Sequence, residues 1–283
     1  MSPADWRTLT EGIALIATDL DGTLVRHDGS VSQFTVDTLA RARAAALPVV
    51  FVTGRPPRWI PPVSDVTGHH GVAICANGGL LIDIATTAVI ESYPISPEAL
   101  ESVVTVLRAE VPGIAFGAEW VPTPDAQPFA HERAYQSKWP VPDAVTDADV
   151  REFTSGRSVT KLLARINDPT HHVDAFLNLA LHHVEDLVEV THSDSSDVLL
   201  EMSAAGVTKG STLARYAASI GVASRHAAAM GDMPNDVSML TWAGVGLGIT
   251  GGHAWVMEAA DALLPGPGDD GVAHFISAVL AGR

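Results

Sequence analysis

Residues 13–22 read IALIATDLDG, an apolar run that ends in two aspartates one residue apart. Such a run is typical of a buried parallel strand. Open α/β sheets bind ligands beyond the carboxyl ends of their strands, so we expect Asp19 and Asp21 at a binding site. Neighbouring carboxylates repel each other, and a bound cation would let both stay ionised. Asp-Gly is also a common turn dipeptide, and an acidic turn after a strand is the alternative interpretation.

Strand and helix patterns alternate in the first and last thirds of the chain. Apolar runs predict strands over 12–19, 48–53, 72–76, 227–230 and 244–248. Helical patterns cover 32–46, 236–242 and 272–280, and another helix follows Thr208. Ser32 is a candidate cap for the first of these helices. Strands that alternate with helices predict an α/β fold with a doubly wound, Rossmann-like parallel sheet.

The middle of the chain has a different pattern. It predicts a hairpin (80–84 and 88–93), helices over 96–110 and 170–183, and strands over 158–166, 187–191 and 197–202. The Pro-rich and aromatic-rich stretch 112–142 could not be assigned. Far more chain separates Thr53 from Lys209 than one core sheet needs. We therefore expect residues 84–190 to form an inserted α+β domain and residues 1–83 and 191–283 to form the core.

Composition excludes several classes of protein. The 283 residues are 47% hydrophobic and carry a formal net charge of −16, which argues against nucleic acid and anionic membranes as partners. Cys75 is the only cysteine, so no intrachain disulfide can form. The sequence has neither an apolar run of about 18 residues nor a signal-peptide pattern, which predicts a cytoplasmic protein.

Polar phrases follow the strands at 48–53 and 72–76. In Thr53-Gly54-Arg55, a hydroxyl and backbone amides at a strand end are suited to a phosphoryl oxygen. Arg55 can pair with a substrate phosphate or equally with a surface carboxylate. Asn77-Gly78 is a strong turn signal and predicts a hairpin turn.

Two further stretches of sequence contain a cationic side chain and side-chain oxygens that suit a hard metal ion. Lys209 lies just before a predicted helix, where an ammonium group could offset an aspartate pair or bind phosphate. Residues 231–236 read GDMPND, and the oxygens of Asp232, Asn235 and Asp236 are of the kind that Mg²⁺ prefers. An acidic turn that caps a helix is the alternative interpretation.

The phrase DLDGT at 19–23 resembles the first motif of the haloacid dehalogenase-like (HAD) hydrolases. In that family the first aspartate is the nucleophile and the second is the general acid/base, which implies those roles for Asp19 and Asp21. The resemblance implies that Thr53 binds phosphate and that Lys209 bridges Asp19 and phosphate. The phrase GDMPND resembles the fourth motif and implies Asp232 as a Mg²⁺ ligand, together with Asp19 and the main-chain carbonyl of Asp21.

Four residues receive supporting roles from the same resemblance. Asn235 and Asp236 would orient ligand waters, phosphate or Lys209. Arg55, with Gly54 before it, is similar to the Thr-Gly-Arg variant of Cof-type members and would contact phosphate. Asn77 would lie in a loop on the substrate side and bind the substrate or its phosphate.

An insertion between Thr53 and Lys209 resembles the C2 caps of this family, and its length and mixture of strands and helices resemble the C2B, or Cof-type (subfamily IIB), subgroup. The resemblance implies a Mg²⁺-dependent phosphatase that acts on a small phosphorylated metabolite, sugar phosphates being the family expectation, through an aspartyl-phosphate. It would act as a monomer or homodimer. The alternatives are a phosphomannomutase-like phosphotransferase and a non-catalytic phosphate-binding module.

The sequence departs from the Cof-type pattern after the fourth motif. Members of the subgroup commonly carry a Met-Gly-Asn-Ala-like phrase, whereas residues 246–250 read GLGIT here. Thr250 would have to replace the missing asparagine, or its contact is lost. Substrate specificity is expected from residues in 112–142 and 158–200. Trp120, Tyr135 and Trp139 could line a pocket, but packing in the core is the favoured interpretation of these three residues.

Overall fold

A computed structural model describes residues 7–123, 128–137, 144–168 and 170–283. The chain forms two compact units. The core unit comprises Met1–Ile90 and Thr208–Arg283, and the inserted unit comprises Glu91–Val207.

Strands and helices alternate along most of the described chain. The strands are β1 (Leu15–Thr18), β2 (Val49–Val52), β3 (Val72–Cys75), β4 (Leu80–Asp83), β5 (Val89–Ser92), β6 (Ala115–Trp120), β7 (Phe129–Glu132), β8 (Val145–Thr146), β9 (Val159–Arg165), β10 (Val188–Thr191), β11 (Leu199–Ala204), β12 (Ala227–Gly231), β13 (Val245–Ile249) and β14 (Ala262–Leu264). The α-helices are α1 (Arg7–Thr10), α2 (Gln33–Ala44), α3 (Pro61–Thr67), α4 (Pro97–Glu110), α5 (Val150–Phe153), α6 (Val173–Val184), α7 (Lys209–Ser219), α8 (Val237–Trp242), α9 (Ala254–Ala259) and α10 (Gly271–Ala281). None of the helices within these described ranges combines the length and hydropathy needed to cross a bilayer.

The core unit is built on an eight-stranded sheet in the order β14-β13-β12-β1-β2-β3-β4-β5. The strands from β14 to β3 are parallel, and β4 runs antiparallel to β3. Apolar side chains of β1 and β2 pack with those of α7 and α8 in one cluster. The predicted doubly wound parallel sheet is confirmed, and β1 lies in its interior with β2 and β12 on either side.

Polar caps start the helices where the sequence predicts them. The Ser32 side chain accepts a hydrogen bond from the Thr35 amide at 3.0 Å and begins α2. Thr208 caps α7 reciprocally with Ser211: its hydroxyl accepts from the Ser211 amide, and the Ser211 hydroxyl accepts from the Thr208 amide. Because this capping box pairs amides that the first helical turn leaves free, the helix is anchored at the residue that precedes Lys209.

The inserted unit contains a six-stranded sheet in the order β10-β11-β9-β6-β7-β8. Its pairs are antiparallel except β7 with β8, and α4 and α6 bury their apolar faces against it. This is the α+β unit that the sequence predicts. The previously unassigned stretch supplies β6 and β7, while Trp139 lies outside the described residues.

The unit boundaries differ from the predicted limits at 84 and 190. β5 pairs beside β4 in the core sheet, so most of the hairpin belongs to the core unit. β10 and β11 hydrogen-bond into the sheet of the inserted unit, so the chain returns to the core at 208. Apolar strand patterns do not by themselves specify which sheet a strand joins, and that explains the shift.

Candidate active site

Asp19 directly follows β1 at the carboxyl end of the core sheet. Its amide donates to the Met230 carbonyl at 2.9 Å and so continues the pairing of β1 with β12. The residue is only 5% exposed. The chain then turns, because the Leu20 carbonyl accepts hydrogen bonds from the amides of Leu24 (3.0 Å) and Val25 (2.8 Å). The turn leaves the Asp21 side chain 57% exposed, so the two aspartates have very different surroundings.

Lys209 joins two of the predicted site aspartates. Its Nζ donates to Asp19 Oδ1 at 2.7 Å and to Asp236 Oδ1 at 2.6 Å, and its side chain is fully buried. The other oxygen of Asp236, Oδ2, accepts from the amides of Asp232 (3.0 Å) and Met233 (2.9 Å). With both of its oxygens occupied, Asp236 holds the lysine and the 232–236 turn in place.

Asp232 approaches the Asp19 turn from β12. Its Oδ1 accepts a hydrogen bond from the Thr23 hydroxyl at 2.7 Å. Gly22 has a φ of +78°, and a Cβ placed there would lie 2.4 Å from Asp232 Oδ2. Only glycine permits both this backbone conformation and this close approach. Glycine at position 22 therefore lets the Asp232 carboxylate reach the turn that follows β1.

Burial and crowding shape the electrostatics of this cluster. Burial raises the pKa of Asp19 well above its usual value; the charge of Lys209 opposes the rise, and the charges of Asp236 and Asp232 add to it. Burial likewise raises the pKa of Asp232 to about 6, and the charge of Asp236 adds to the effect. Burial alone would lower the pKa of Lys209, but the charges of Asp19 and Asp236 more than offset it and raise the pKa, so the lysine stays protonated.

The donor set fits a hard divalent cation. Asp19, Asp232 and Asp236 each offer one carboxylate oxygen, and these atoms lie within 4.8 Å of one another. Three carboxylates face one ammonium group, so a cation of higher charge would relieve the repulsion that adds to the effect of burial on their pKa values. Oxygen donors at this spacing suit Mg²⁺. Lys209 and the backbone amides already occupy Asp236, which leaves Asp19 and Asp232 as the better carboxylate ligands.

Asp21 lies against Arg55 rather than in the buried cluster. Arg55 Nε donates to Asp21 Oδ2 at 2.7 Å and Nη2 donates to Oδ1 at 2.5 Å, a bidentate pair. This pairing raises the pKa of the guanidinium. Of the two partners that the sequence allows for Arg55, the structure supplies a carboxylate, and it is the carboxylate of another predicted site residue.

Thr53 and its neighbours form the next edge of the site. Thr53 is 1% exposed, and its hydroxyl accepts from the Arg55 amide at 3.0 Å, across Gly54. Asn77 and Asn235 are both buried and meet side chain to side chain, with Asn235 Nδ2 donating to Asn77 Oδ1 at 3.0 Å. The Thr250 hydroxyl donates to the Leu264 carbonyl at 2.9 Å.

The structure thus gathers the predicted residues into three contacting groups. The first contains Asp19, Lys209, Asp232 and Asp236; the second pairs Asp21 with Arg55; the third pairs Asn77 with Asn235. Sequence reasoning missed Thr23, although the residue belongs to the first motif. Its hydroxyl bond to Asp232 depends on the pairing of β1 with β12, which the local sequence does not report.

Solved structures resemble this chain along almost its whole length. BT1666 from Bacteroides thetaiotaomicron, a phosphatase of the HAD superfamily, superposes with a TM-score of 0.76 at 19% identity, covering 94% of this chain and 95% of that one. BT4131, described as a HAD subclass IIB sugar phosphatase, gives a TM-score of 0.73 at 19% identity and covers 93% and 97% of the two chains. These likenesses confirm the fold.

Sequence relatives carry the comparison further. Pyridoxal phosphate phosphatase YbhA of Escherichia coli is 26% identical over 271 residues, or 93% of this chain and 97% of YbhA. The 5-amino-6-(5-phospho-D-ribitylamino)uracil phosphatase YcsE of Bacillus subtilis is 24% identical over 264 residues, or 93% and 94% of the two chains. The sequence profile of the haloacid dehalogenase-like hydrolases matches residues 16–276. The chain therefore belongs to the haloacid dehalogenase-like hydrolase family.

Proposed function

We propose that the protein is a Mg²⁺-dependent phosphatase that hydrolyses small phosphomonoesters through an aspartyl-phosphate on Asp19. The observation that carries this proposal is the buried contact of Lys209 with Asp19 and Asp236, beside Asp232. A buried ammonium group that bridges two carboxylates orients the nucleophile and offers positive charge to an incoming phosphoryl group. The overall charge of −16 makes such local positive charge necessary.

The reaction divides between the two aspartates. Asp19 attacks phosphorus, and a bond from its carboxylate oxygen to phosphorus forms as the bond to the leaving oxygen breaks. Asp21 donates a proton to that leaving oxygen and then accepts one from the water that hydrolyses the aspartyl-phosphate. The exposed position of Asp21 suits exchange with a leaving group and with water, whereas the buried Asp19 is anchored by Lys209.

The remaining residues bind the phosphoryl group and the cation. The Thr53 hydroxyl and the Gly54 amide are proposed phosphate donors, and Arg55 can exchange its Asp21 partner for a phosphate dianion. Asp19, Asp232 and the main-chain carbonyl of Asp21 would hold Mg²⁺. When bound, the metal supplies positive charge that stabilises the transferring phosphoryl group.

The substrate is a small phosphorylated metabolite, and sugar phosphates remain our first expectation. BT4131 is described as a sugar phosphatase, while YbhA and YcsE are named for a pyridoxal and a ribitylaminouracil phosphate. The compounds in these names share a phosphomonoester group and differ widely in the leaving group. Residues 112–142 and 158–200, which belong to the inserted unit, are proposed to select among these leaving groups. The cytoplasmic location and the monomeric or homodimeric state stay predictions.

Phosphate release from a panel of phosphomonoesters, with Mg²⁺ or with a chelator, tests this function. The wild type should turn over at least one compound only with Mg²⁺, and Asp19→Asn should be inactive because its carboxamide is not nucleophilic. Asp65→Asn, at an exposed position on α3, is the matched control and should keep full activity. Phosphate transfer to a second sugar would instead identify a phosphotransferase. Binding of phosphate without turnover would identify a binding module.

A further inference from the structure

The turn that follows β3 has an unusual backbone. Ala76, Asn77 and Gly78 have φ values of +51°, +55° and +106°, and all three residues are buried. Asparagine and glycine tolerate the left-handed region, whereas alanine is strained there. Strain of this kind persists only where surrounding contacts hold the backbone, and it often accompanies functional sites.

Backbone contacts fix this turn to two other parts of the proposed site. The Ala76 amide donates to the Arg55 carbonyl at 3.0 Å, and the Asn77 amide donates to the Thr53 carbonyl at 3.1 Å. On the other side, the Gly78 carbonyl accepts from the hydroxyl of Thr212 on α7 at 2.8 Å. The turn therefore connects the segment after β2 with the helix that begins at Lys209.

Gly78 shows how closely the turn packs against that helix. A Cβ at position 78 would lie 2.3 Å from the Thr208 carbonyl oxygen, at the residue just before Lys209. This atom belongs to the backbone, so it cannot move aside as a flexible side chain could. The start of α7, and with it the main chain of Lys209, is held against the turn.

The Asn77 side chain provides the third connection. Its Oδ1 accepts from Asn235 Nδ2, which fixes the orientation of the Asn235 amide and leaves the oxygen of that amide for other groups. That atom, Asn235 Oδ1, is buried and has no hydrogen-bond partner among the described residues. A buried acceptor without a donor is costly, and a bound water or hydroxyl group would satisfy it. The Asn77 contact thus selects an acceptor for a bound donor group in the turn between Asp232 and Asp236.

We propose that Asn77 is a positioning residue: it orients the Asn235 carboxamide and stabilises the turn that holds the Thr53 segment against the start of α7. The proposal rests on the phosphatase function proposed above. It differs from the sequence prediction that Asn77 contacts the substrate, because the carboxamide of Asn77 is buried against Asn235 and acts through it. Outer partners of this kind typically contribute about 10–100-fold in activity or metal affinity.

Two substitutions separate the side chain from the backbone. Asn77→Gly keeps the left-handed turn accessible but removes the acceptor for Asn235. Asn77→Asp keeps both an acceptor and tolerance of the left-handed region. Thr87→Gly is the matched control, because Thr87 also has a left-handed φ of +56° but lies in an exposed turn outside the site.

The experiment measures kcat, KM and the Mg²⁺ concentration for half-maximal activity for each variant. We expect Asn77→Gly to lower kcat or Mg²⁺ affinity by about 10–100-fold with KM changed far less, Asn77→Asp to recover much of the loss, and Thr87→Gly to match the wild type. The double variant Asn77→Gly/Asn235→Ala should be no worse than Asn235→Ala alone, since both changes remove one interaction.

Three results would overturn the proposal. A raised KM with unchanged kcat in Asn77→Gly would show that Asn77 contacts the substrate directly. Additive losses in the double variant with Asn235→Ala would show that the two residues are not coupled. A lowered Tm with normal kinetics would show that the role of Asn77 is purely structural. If the wild type releases no phosphate, the proposed function has failed, and calorimetric titration with Mg²⁺ and inorganic phosphate decides the role of Asn77. Weaker binding by Asn77→Gly then supports positioning, and unchanged binding refutes it.

Discussion

Replacing Asp232 with asparagine should stabilise the metal-free protein while abolishing its activity. The pKa of Asp232 is raised from 3.8 to about 6, chiefly by burial. Below pH 3.8 the carboxyl is protonated in both folded and unfolded chains; between 3.8 and 6 only the folded chain keeps the proton, so stability falls as pH rises. Above pH 6 the ionised carboxyl lowers the free energy of unfolding by its full amount. This amount is at most about 3 kcal/mol, since each unit of pKa shift corresponds to roughly 1.4 kcal/mol. Asparagine has no charge to bury, and its Oδ1 can still accept from the Thr23 hydroxyl.

Urea denaturation of the wild type and Asp232→Asn, with a chelator at pH 7.5 and pH 5.0, measures this effect. The variant should be more stable by up to about 3 kcal/mol at pH 7.5 and by roughly half of that at pH 5.0. Mg²⁺ in large excess should reverse the order, since a ligand at about 1,000 times its Kd stabilises the folded wild type by about 4.1 kcal/mol. Asp65→Asn should follow the wild type throughout. A variant that is less stable than the wild type at pH 7.5 with chelator would refute the reasoning.

Three further predictions concern His69, Lys209 and Arg55. Burial of His69 lowers its pKa from 6.5 to about 4. The free energy of unfolding should therefore fall by about 3 kcal/mol as the pH drops from 6.5 to about 4, because only the unfolded chain binds the proton there. Urea denaturation of His69→Asn should show a flatter pH dependence than that of the wild type. Lys209→Met leaves two buried carboxylates without their counter-ion and should destabilise the metal-free protein by about 3–5 kcal/mol, measured by urea denaturation with chelator; an unchanged midpoint would contradict the bridging role. Arg55→Gln breaks the part-exposed pair with Asp21 and should change stability by less than about 1 kcal/mol, while KM for a phosphomonoester rises; an unchanged KM would argue against a phosphate contact.

The sequence predicts the central sheet and its helix starts because those signals are local. The apolar run that ends at Asp19, the Ser32 cap and the helix after Thr208 each depend on a few adjacent residues, and the structure confirms all three. Asp232 and Asp236, which the motif phrases single out, lie with Asp19 in one acidic cluster. Short-range chemistry thus suffices for most elements that carry the candidate site.

The features that the sequence does not predict depend on contacts between segments that are far apart in the chain. β6 is buried along its whole length and shows no alternation, so its apolar and small residues resemble no single pattern. The pairing of Arg55 with Asp21 requires the two loops to meet across adjacent strands. The burial of Asn77 against Asn235 joins residues 158 positions apart, a separation that no local signal spans.

The position of β1 inside the core sheet has a consequence for synthesis of the chain. β1 pairs with β2 on one side and with β12 on the other, where Leu15 lies opposite Ala227. During translation, β2 emerges soon after β1, but β12 follows only when the whole inserted unit has been made. Until then one edge of an apolar strand lacks its partner, and such edges attract pairing with other chains. Chains that stop before residue 227 are therefore expected to aggregate, and the nascent protein depends on protection of that edge until translation is nearly complete.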